Sequence, residues 1–454
     1  MTAIHVRHAL LDDGWRRDVR IALDGRRIAS IDHDVPARAG DECFSGFAVP
    51  GLANVHSHAF QRAMSGLTER RGPDSDNFWT WRELMYRFLA RMTPDDVEAV
   101  AAWLYVEMLE AGFTAVGEFH YLHNAPDGRR YDDPAEMAAR IAAAAAESGI
   151  GLTLLPCFYA HGGCGGAAPV AGQVRFLSDL DGFARLMEGS RRHVAALDGA
   201  DIGIAPHSLR AVDAPELAAL LAQNPSGPVH IHAAEQTAEV EACVTWSGLR
   251  PVEWLLRNGP VDRRWCLIHC THMTPAEVSG LAAAGAVAGL CPITEANLGD
   301  GVFAAEPYRE AGGRFGIGSD SNVRVSLAEE LRTVEYAQRL TSRRRAILAP
   351  PGGSTGRALF DAACAGGAQA LARPSGALRA GADADIVLLD GGHPALAGRD
   401  GDDVLDTWIF GGGNGLVGDV YAGGRRVVSA GRHVVREAAA ARFAATMARL
   451  MEAA

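Results

Sequence analysis

The chain has 454 residues, 48% of them hydrophobic, and a formal net charge of −12. That length is enough for a large core or for two domains. The negative charge argues against a nucleic-acid partner, which needs clustered cations, and no apolar run approaches the ~20 residues of a membrane helix.

A local Arg cluster can still oppose the global sign and hold an anion. The eight cysteines (Cys43, Cys157, Cys164, Cys243, Cys266, Cys270, Cys291 and Cys364) are scattered and form no Cys-x-x-Cys pair. This suits reduced thiols better than a disulfide framework. The opening residues show no basic region followed by an apolar one, so no signal peptide is expected. A cytoplasmic enzyme is the expectation.

Residues 1–48 read as short strands at 4–10, 17–23 and 27–31, with Asp24-Gly25 as a hairpin turn. The middle, 49–375, alternates apolar strands with helical patterns. Strand-like runs fall at 52–55, 114–119, 151–158, 202–206, 229–232, 265–270, 287–291 and 315–318. Thr93-Pro94 starts a helix that stops near Gly112, and Asp133-Pro134 opens another that ends near Ser148-Gly149. Segments 161–172 and 346–355 read as loops, and 292–314 shows no clear helix. Residues 376–454 return to strands, at 384–390, 407–410 and 419–428, before a closing helix at 435–452. The expected fold is α/β: a (β/α)8 TIM barrel over 49–375, with a small β-sandwich domain built from both termini, 1–48 and 376–454.

In such a barrel the active site lies at the C-terminal ends of the strands. The first strand runs into His56 and His58, two apart and so facing the same way. A lone His-x-His is more often a polar turn, but partners recur downstream. The fifth strand carries His230 and His232 and then Glu235, the sixth ends at His269 with His272 beyond, and the eighth ends at Asp320. Imidazoles plus a carboxylate with an open position for water suit a catalytic metal site; zinc fits these donors best, with iron and manganese as the alternatives that donor type leaves open.

This order resembles that of the amidohydrolase superfamily, in its metal-dependent deaminase branch. The resemblance implies that His56, His58, His232 and Asp320 hold one divalent metal ion, Zn2+ by donor type. No strand end offers the carbamylated lysine of binuclear members. A bound cation lowers the pKa of a water molecule. Asp320 and His269 would then hold that water and take its proton, and Glu235 would pass a proton to the departing nitrogen. His230 reads as a packed strand residue and His272 as a support for the site.

The strand-end loops add Gln61, Arg82, Tyr121, His207 and Arg210. Two guanidinium groups suit a substrate with carboxylates, which Arg binds in bidentate fashion. Arg62, Arg70, Arg71 and Arg87 are read as surface residues. Four stretches, His56-Ser-His-Ala-Phe-Gln61, Phe78-Trp-Thr-Trp-Arg82, Glu118-Phe-His-Tyr121 and Pro206-His-Ser-Leu-Arg210, resemble the branch of the family that hydrolyses N-formimino-L-glutamate. That resemblance implies His207 and Arg210 on the α-carboxylate, and Gln61, Arg82 and Tyr121 on the γ-carboxylate.

A deaminase of an aromatic heterocycle, such as guanine or an adenosine derivative, is the rival within the same chemistry. A non-catalytic barrel scaffold is the rival outside it. The expected partner is a small-molecule dicarboxylate, with no nucleic acid and no membrane. A homo-oligomer, a dimer, is expected, with the apolar stretch 216–222 as core or interface. The length and position of 61–92 suggest a loop over the mouth.

Overall fold

The structure, a computed structural model, describes residues 2–71 and 77–452. Strands from the two termini hydrogen-bond into a single eight-stranded sheet. The N-terminal strands are Thr2–Leu11, Gly14–Asp24, Arg27–Asp32 and Glu42–Pro50. Ile386–Leu389 pairs antiparallel with Glu42–Pro50 and so joins the C-terminal half, Val417–Ala422, Arg425–Ser429 and Arg432–His433. Ile4, Val6, Val19 and Ile21 share an apolar cluster with Ile386, Leu388 and Tyr421. Neither half would bury this face alone, which is why the two ends of the chain meet.

The middle of the chain forms the barrel. Its strands are Leu52–Ser57, Phe113–His120, Gly151–Phe158, the paired fragments Asp201–Ile202 and Ala205–Pro206, Val229–Ala233, Trp265–His269, Val287–Leu290 and Arg314–Ile317. Most are buried along their whole length, as the continuous apolar runs require of a parallel sheet covered on both faces. All pair in parallel, and the eighth strand returns to the first through Ile317 and Asn54. Bridges Ile204–Val229 and Ser208–His232 close the ring between the fourth and fifth strands. The fourth strand is broken at Gly203, where an added Cβ would lie 2.3 Å from the Pro228 carbonyl oxygen. Only glycine lets the backbones approach this closely.

The helix signals behave as their chemistry demands. Thr93 caps Pro94–Glu110 in a reciprocal bond pair with Asp96, and Gly149 ends Glu136–Ser148 in the left-handed region at φ 78°.

Two expectations need correction. Residues 407–410 are not a strand: Asp403–Thr407 is helical and runs into a wide turn over Trp408–Gly412. The buried residues Val404, Leu405, Trp408 and Ile409 recur with helical spacing, which the aromatic and β-branched composition had masked. Segment 292–314 holds two short helices, Pro292–Leu298 and Ala305–Glu310, each too brief to show a period.

The stretch expected to form a loop over the mouth is also more ordered than its composition suggested. It contains a short 3₁₀ helix over Ala59–Met64 and an α-helix, Phe78–Leu89, capped by Asn77. Residues 72–76 of that stretch lie outside the described residues. Among the described residues no helix is long and apolar enough to cross a membrane.

Candidate active site

His56, His58, His232 and Asp320 bring one donor atom each within 4.8 Å of one another, and all four are buried. The Nδ1 of His58 bonds the Phe119 carbonyl at 2.8 Å, and the Nδ1 of His232 bonds the His207 carbonyl at 2.9 Å. A carbonyl only accepts, so each Nδ1 carries the proton and each Nε2 turns a lone pair inward. His232 Nε2 lies 3.2 Å from His56 Nε2, and Asp320 Oδ1 lies 3.4 Å from His56 Nε2 and 3.3 Å from His58 Nε2. Burial depresses the three imidazoles, His56 to about 3, which keeps them neutral. Burial alone would raise Asp320, but hydrogen bonding to His56 and the surrounding imidazoles hold it well below the usual carboxylate range. Neutral nitrogens and an ionised carboxylate converging on one point fit a divalent cation.

Strained backbone places Asp320, His269 and their neighbours at the mouth. Ala234, His269, Cys270, Asp320 and Asn322 all sit at φ between 46° and 72°, a region non-glycine residues occupy only when their surroundings impose it. The first and eighth strands are locked by three buried polar side chains. Asn54 Oδ1 accepts from the backbone N–H of Ser319 at 3.1 Å and of His56 at 3.3 Å, and its Nδ2 donates to Ser319 Oγ at 2.6 Å. Ser319 Oγ donates to Asn322 Oδ1 at 2.6 Å, and Asn322 Nδ2 reaches the carbonyls of Asp320 at 2.9 Å and His58 at 3.1 Å.

Beside the donor cluster lie Glu235 and His269. Glu235 Oε1 is 3.7 Å from His269 Nε2, and Glu235 Oε2 is 3.6 Å from the Arg210 guanidinium. His269 Nε2 is 3.9 Å from Asp320 Oδ2, and its Nδ1 is 3.2 Å from Glu295 Oε1. Burial pushes Glu235 up to about 7, against the pull of His269 and Arg210. Burial alone would depress His269, but the carboxylates of Glu235, Glu295 and Asp320 outweigh it and raise the imidazole to about 10. The turn bearing Glu235 is held by Glu239, whose carboxylate accepts from the backbone N–H of Ala234 at 3.2 Å and of Glu235 at 3.0 Å.

All five residues expected in the substrate pocket, Gln61, Arg82, Tyr121, His207 and Arg210, line one cavity with His58, His232, Glu235, His269 and Asp320. Arg82 stacks on the Trp79 ring at 4.5 Å and lies 5.6 Å from that of Tyr86. Its Nε is buried without a partner, and no described carboxylate lies in ion-pair range of it. Gln61 Nε2 donates to the Tyr121 hydroxyl at 2.7 Å, while Gln61 Oε1 is buried and unpartnered. Arg210 is half-buried, with its Nε 3.4 Å from Ser208 Oγ, and His207 Nδ1 lies 3.0 Å from that same oxygen. His230 turns away from this cavity to the Ala370 carbonyl at 2.9 Å, and His272 Nε2 bonds the Asp300 carbonyl at 2.8 Å. Arg62, read as a surface residue, is instead half-buried: it pairs with Glu107 at 2.6 Å and donates to the Asn322 carbonyl at 2.9 Å.

Sequence reasoning missed Glu239, Glu295, Asn54, Ser319 and Asn322. Their signal was available only in part: Glu239 stands four residues past Glu235 in the first turn of a helix, and Asn322 stands two past Asp320.

Residues 47–427 match the model of the Amidohydrolase family, and residues 1–44 match that of the Formimidoylglutamate deiminase HutF, N-terminal domain. The chain belongs to the amidohydrolase family. It is 50% identical over 456 residues to a formimidoylglutamate deiminase from Pseudomonas aeruginosa, covering 100% of both chains. A crystal structure of an amidohydrolase from Brucella melitensis is 54% identical, with a TM-score of 0.96 over 99% of this chain and 100% of that one. An adenosine deaminase from Xanthomonas campestris, solved with bound zinc, shares the fold at 21% identity, with a TM-score of 0.81 over 99% and 98% of the two chains. The chain contains no lysine, so all 43 of its Lys and Arg residues are arginine. A carbamylated lysine bridging two metals therefore cannot form.

Proposed function

We propose that the chain is a metal-dependent deiminase that converts N-formimino-L-glutamate and water to N-formyl-L-glutamate and ammonia, a step of histidine degradation. The observation that carries this reading is the pair of guanidinium groups, Arg82 and Arg210, in the cavity that also holds the donor cluster. The likeness in sequence to the Pseudomonas aeruginosa enzyme supports it along the whole chain.

In this reading His56, His58, His232 and Asp320 hold one Zn2+, the ion best suited to three imidazoles and a carboxylate. When bound, it supplies a Lewis acid that lowers the pKa of the attacking water toward neutrality. Asp320 orients that water and receives its proton, while His269, kept protonated by its carboxylate neighbours, donates a hydrogen bond to the attacking oxygen. Its oxygen bonds to the formimino carbon, and the C=N bond becomes single. Glu235, with its carboxyl poised near neutrality, delivers a proton to the terminal nitrogen. The proton held by Asp320 passes to the same nitrogen, the C–N bond breaks and ammonia leaves, and the carbon keeps the oxygen as a formyl group while its hydroxyl proton returns to Glu235. His207 and Arg210 hold the α-carboxylate, and Gln61, Arg82 and Tyr121 hold the γ-carboxylate. A cytoplasmic location and a homodimer complete the proposal.

A heterocycle deaminase would use the same donor cluster. A neutral purine, however, would leave the half-buried Arg82 beside Trp79, its buried Nε without a partner, with no anion to answer it. Such unmet charge disfavours the wrong substrate steeply. Parallel assays of ammonia release from N-formimino-L-glutamate, guanine and adenosine test the choice. Release from the purines alone would replace the proposal.

A further inference from the structure

One polar group in the cavity has no part in the account so far. Tyr159 directly follows the third barrel strand and lines the cavity with His207 and Arg210. Its ring packs against the His207 imidazole with centroids 4.6 Å apart, so the phenol stands at the level of the α-carboxylate subsite. The hydroxyl accepts a hydrogen bond from Gln173 Nε2 at 2.7 Å. The direction of that bond is fixed, because Gln173 Oε1 is already taken by the backbone N–H of Val170 at 2.8 Å. The amide therefore cannot flip. Tyr159 spends its lone pair on Gln173 and keeps its own proton, which no acceptor among the described residues takes. A buried hydroxyl with a free proton next to an imidazole and a guanidinium is a donor that lacks an anion.

We propose that Tyr159 is a further substrate-binding residue, its phenol O–H donating to the carboxylate held by His207 and Arg210, with Gln173 as the residue that positions it. This rests on the deiminase reading above. Gln173 is 1% exposed and ends the short helical turn Ala171–Gln173 at the close of the Gly-rich 161–172 loop, so that turn acquires a purpose: it fixes the orientation of a specificity residue.

The experiment compares two substrates, N-formimino-L-glutamate and its analogue without the α-carboxylate, 4-(formimino)aminobutyrate. A hydrogen bond to a charged group is worth roughly 10- to 100-fold in binding. Tyr159→Phe is expected to lower kcat/KM about 10- to 100-fold on the first substrate, mostly through KM. On the second it is expected to change kcat/KM less than about threefold. Gln173→Leu is expected to give a smaller loss on the first substrate and no added loss in the Tyr159→Phe background. Equal losses on both substrates would reduce Tyr159 to a packing residue, and no loss on either would remove it from the subsite. Inactivity of the unaltered protein on N-formimino-L-glutamate would instead overturn the deiminase reading itself.

Discussion

An imidazole serves a cation only through a lone pair, and a lone pair is available only if the proton sits on the other nitrogen. The bonds from His58 to the Phe119 carbonyl and from His232 to the His207 carbonyl settle that choice before any metal arrives. These histidines were legible in the sequence because they recur at strand ends. Glu239 and Glu295 were not legible, since a carboxylate that holds a backbone turn looks like any helix-start acid until the turn is seen. Arg82→Ala should lower kcat/KM for N-formimino-L-glutamate at least about 10-fold with metal content unchanged, because the variant loses a charged contact to substrate. Elemental analysis alongside steady-state kinetics checks this, and unchanged kinetics would take Arg82 out of the subsite. Glu235→Gln should lower kcat by about 100-fold or more, the usual scale of a lost proton-transfer group. A near-normal kcat would mean that the leaving nitrogen takes its proton elsewhere.

At the scale of elements, the barrel presents its chemistry where strands stop, and it makes them stop abruptly. Left-handed residues at 234, 269, 270, 320 and 322 turn side chains across the mouth instead of along the strand. The Asn54–Ser319–Asn322 chain holds the first and eighth strand ends against that strain. Asn322→Ala should weaken metal affinity about 10- to 100-fold, as loss of a group that orients ligands commonly does. Competition with a chromogenic chelator measures it, and unchanged affinity would show that the strand ends hold their shape unaided. Most strands could be read from the sequence because burial on both faces makes each a continuous apolar run. The two short helices at 292–310 and the helical turn at 403–412 could not. A helix of six or seven residues spans fewer than two periods, and Trp408 and Ile409 favour strands by composition.

At the scale of the molecule, the terminal sheet and the barrel are joined by buried charge as well as by apolar packing. Asp383 lies 3.3 Å from the Arg373 guanidinium, with both side chains almost fully buried, and 3.0 Å from that of Arg27 on the third strand of the sheet. Arg373 also donates to the Gly199 carbonyl at 3.0 Å, just before the fourth barrel strand. Asp383→Ala should therefore destabilise the fold by about 3–5 kcal/mol, since it strands a buried guanidinium. Thermal or urea unfolding reads that loss, and a change below about 1 kcal/mol would assign the joint to packing alone. The association of both termini was legible from their shared β-rich character, whereas the ion pair that pins them was not, because neither Arg373 nor Asp383 stands in any motif. The central claim is that one cation site and two guanidinium arms serve a single reaction on a dicarboxylate. Its most direct test is the rate of ammonia release from N-formimino-L-glutamate by metal-loaded protein and by the same protein stripped with a chelator. Rapid release that is lost on stripping and restored by zinc is the expected result. Release that persists without metal, or none from the loaded protein, would contradict it.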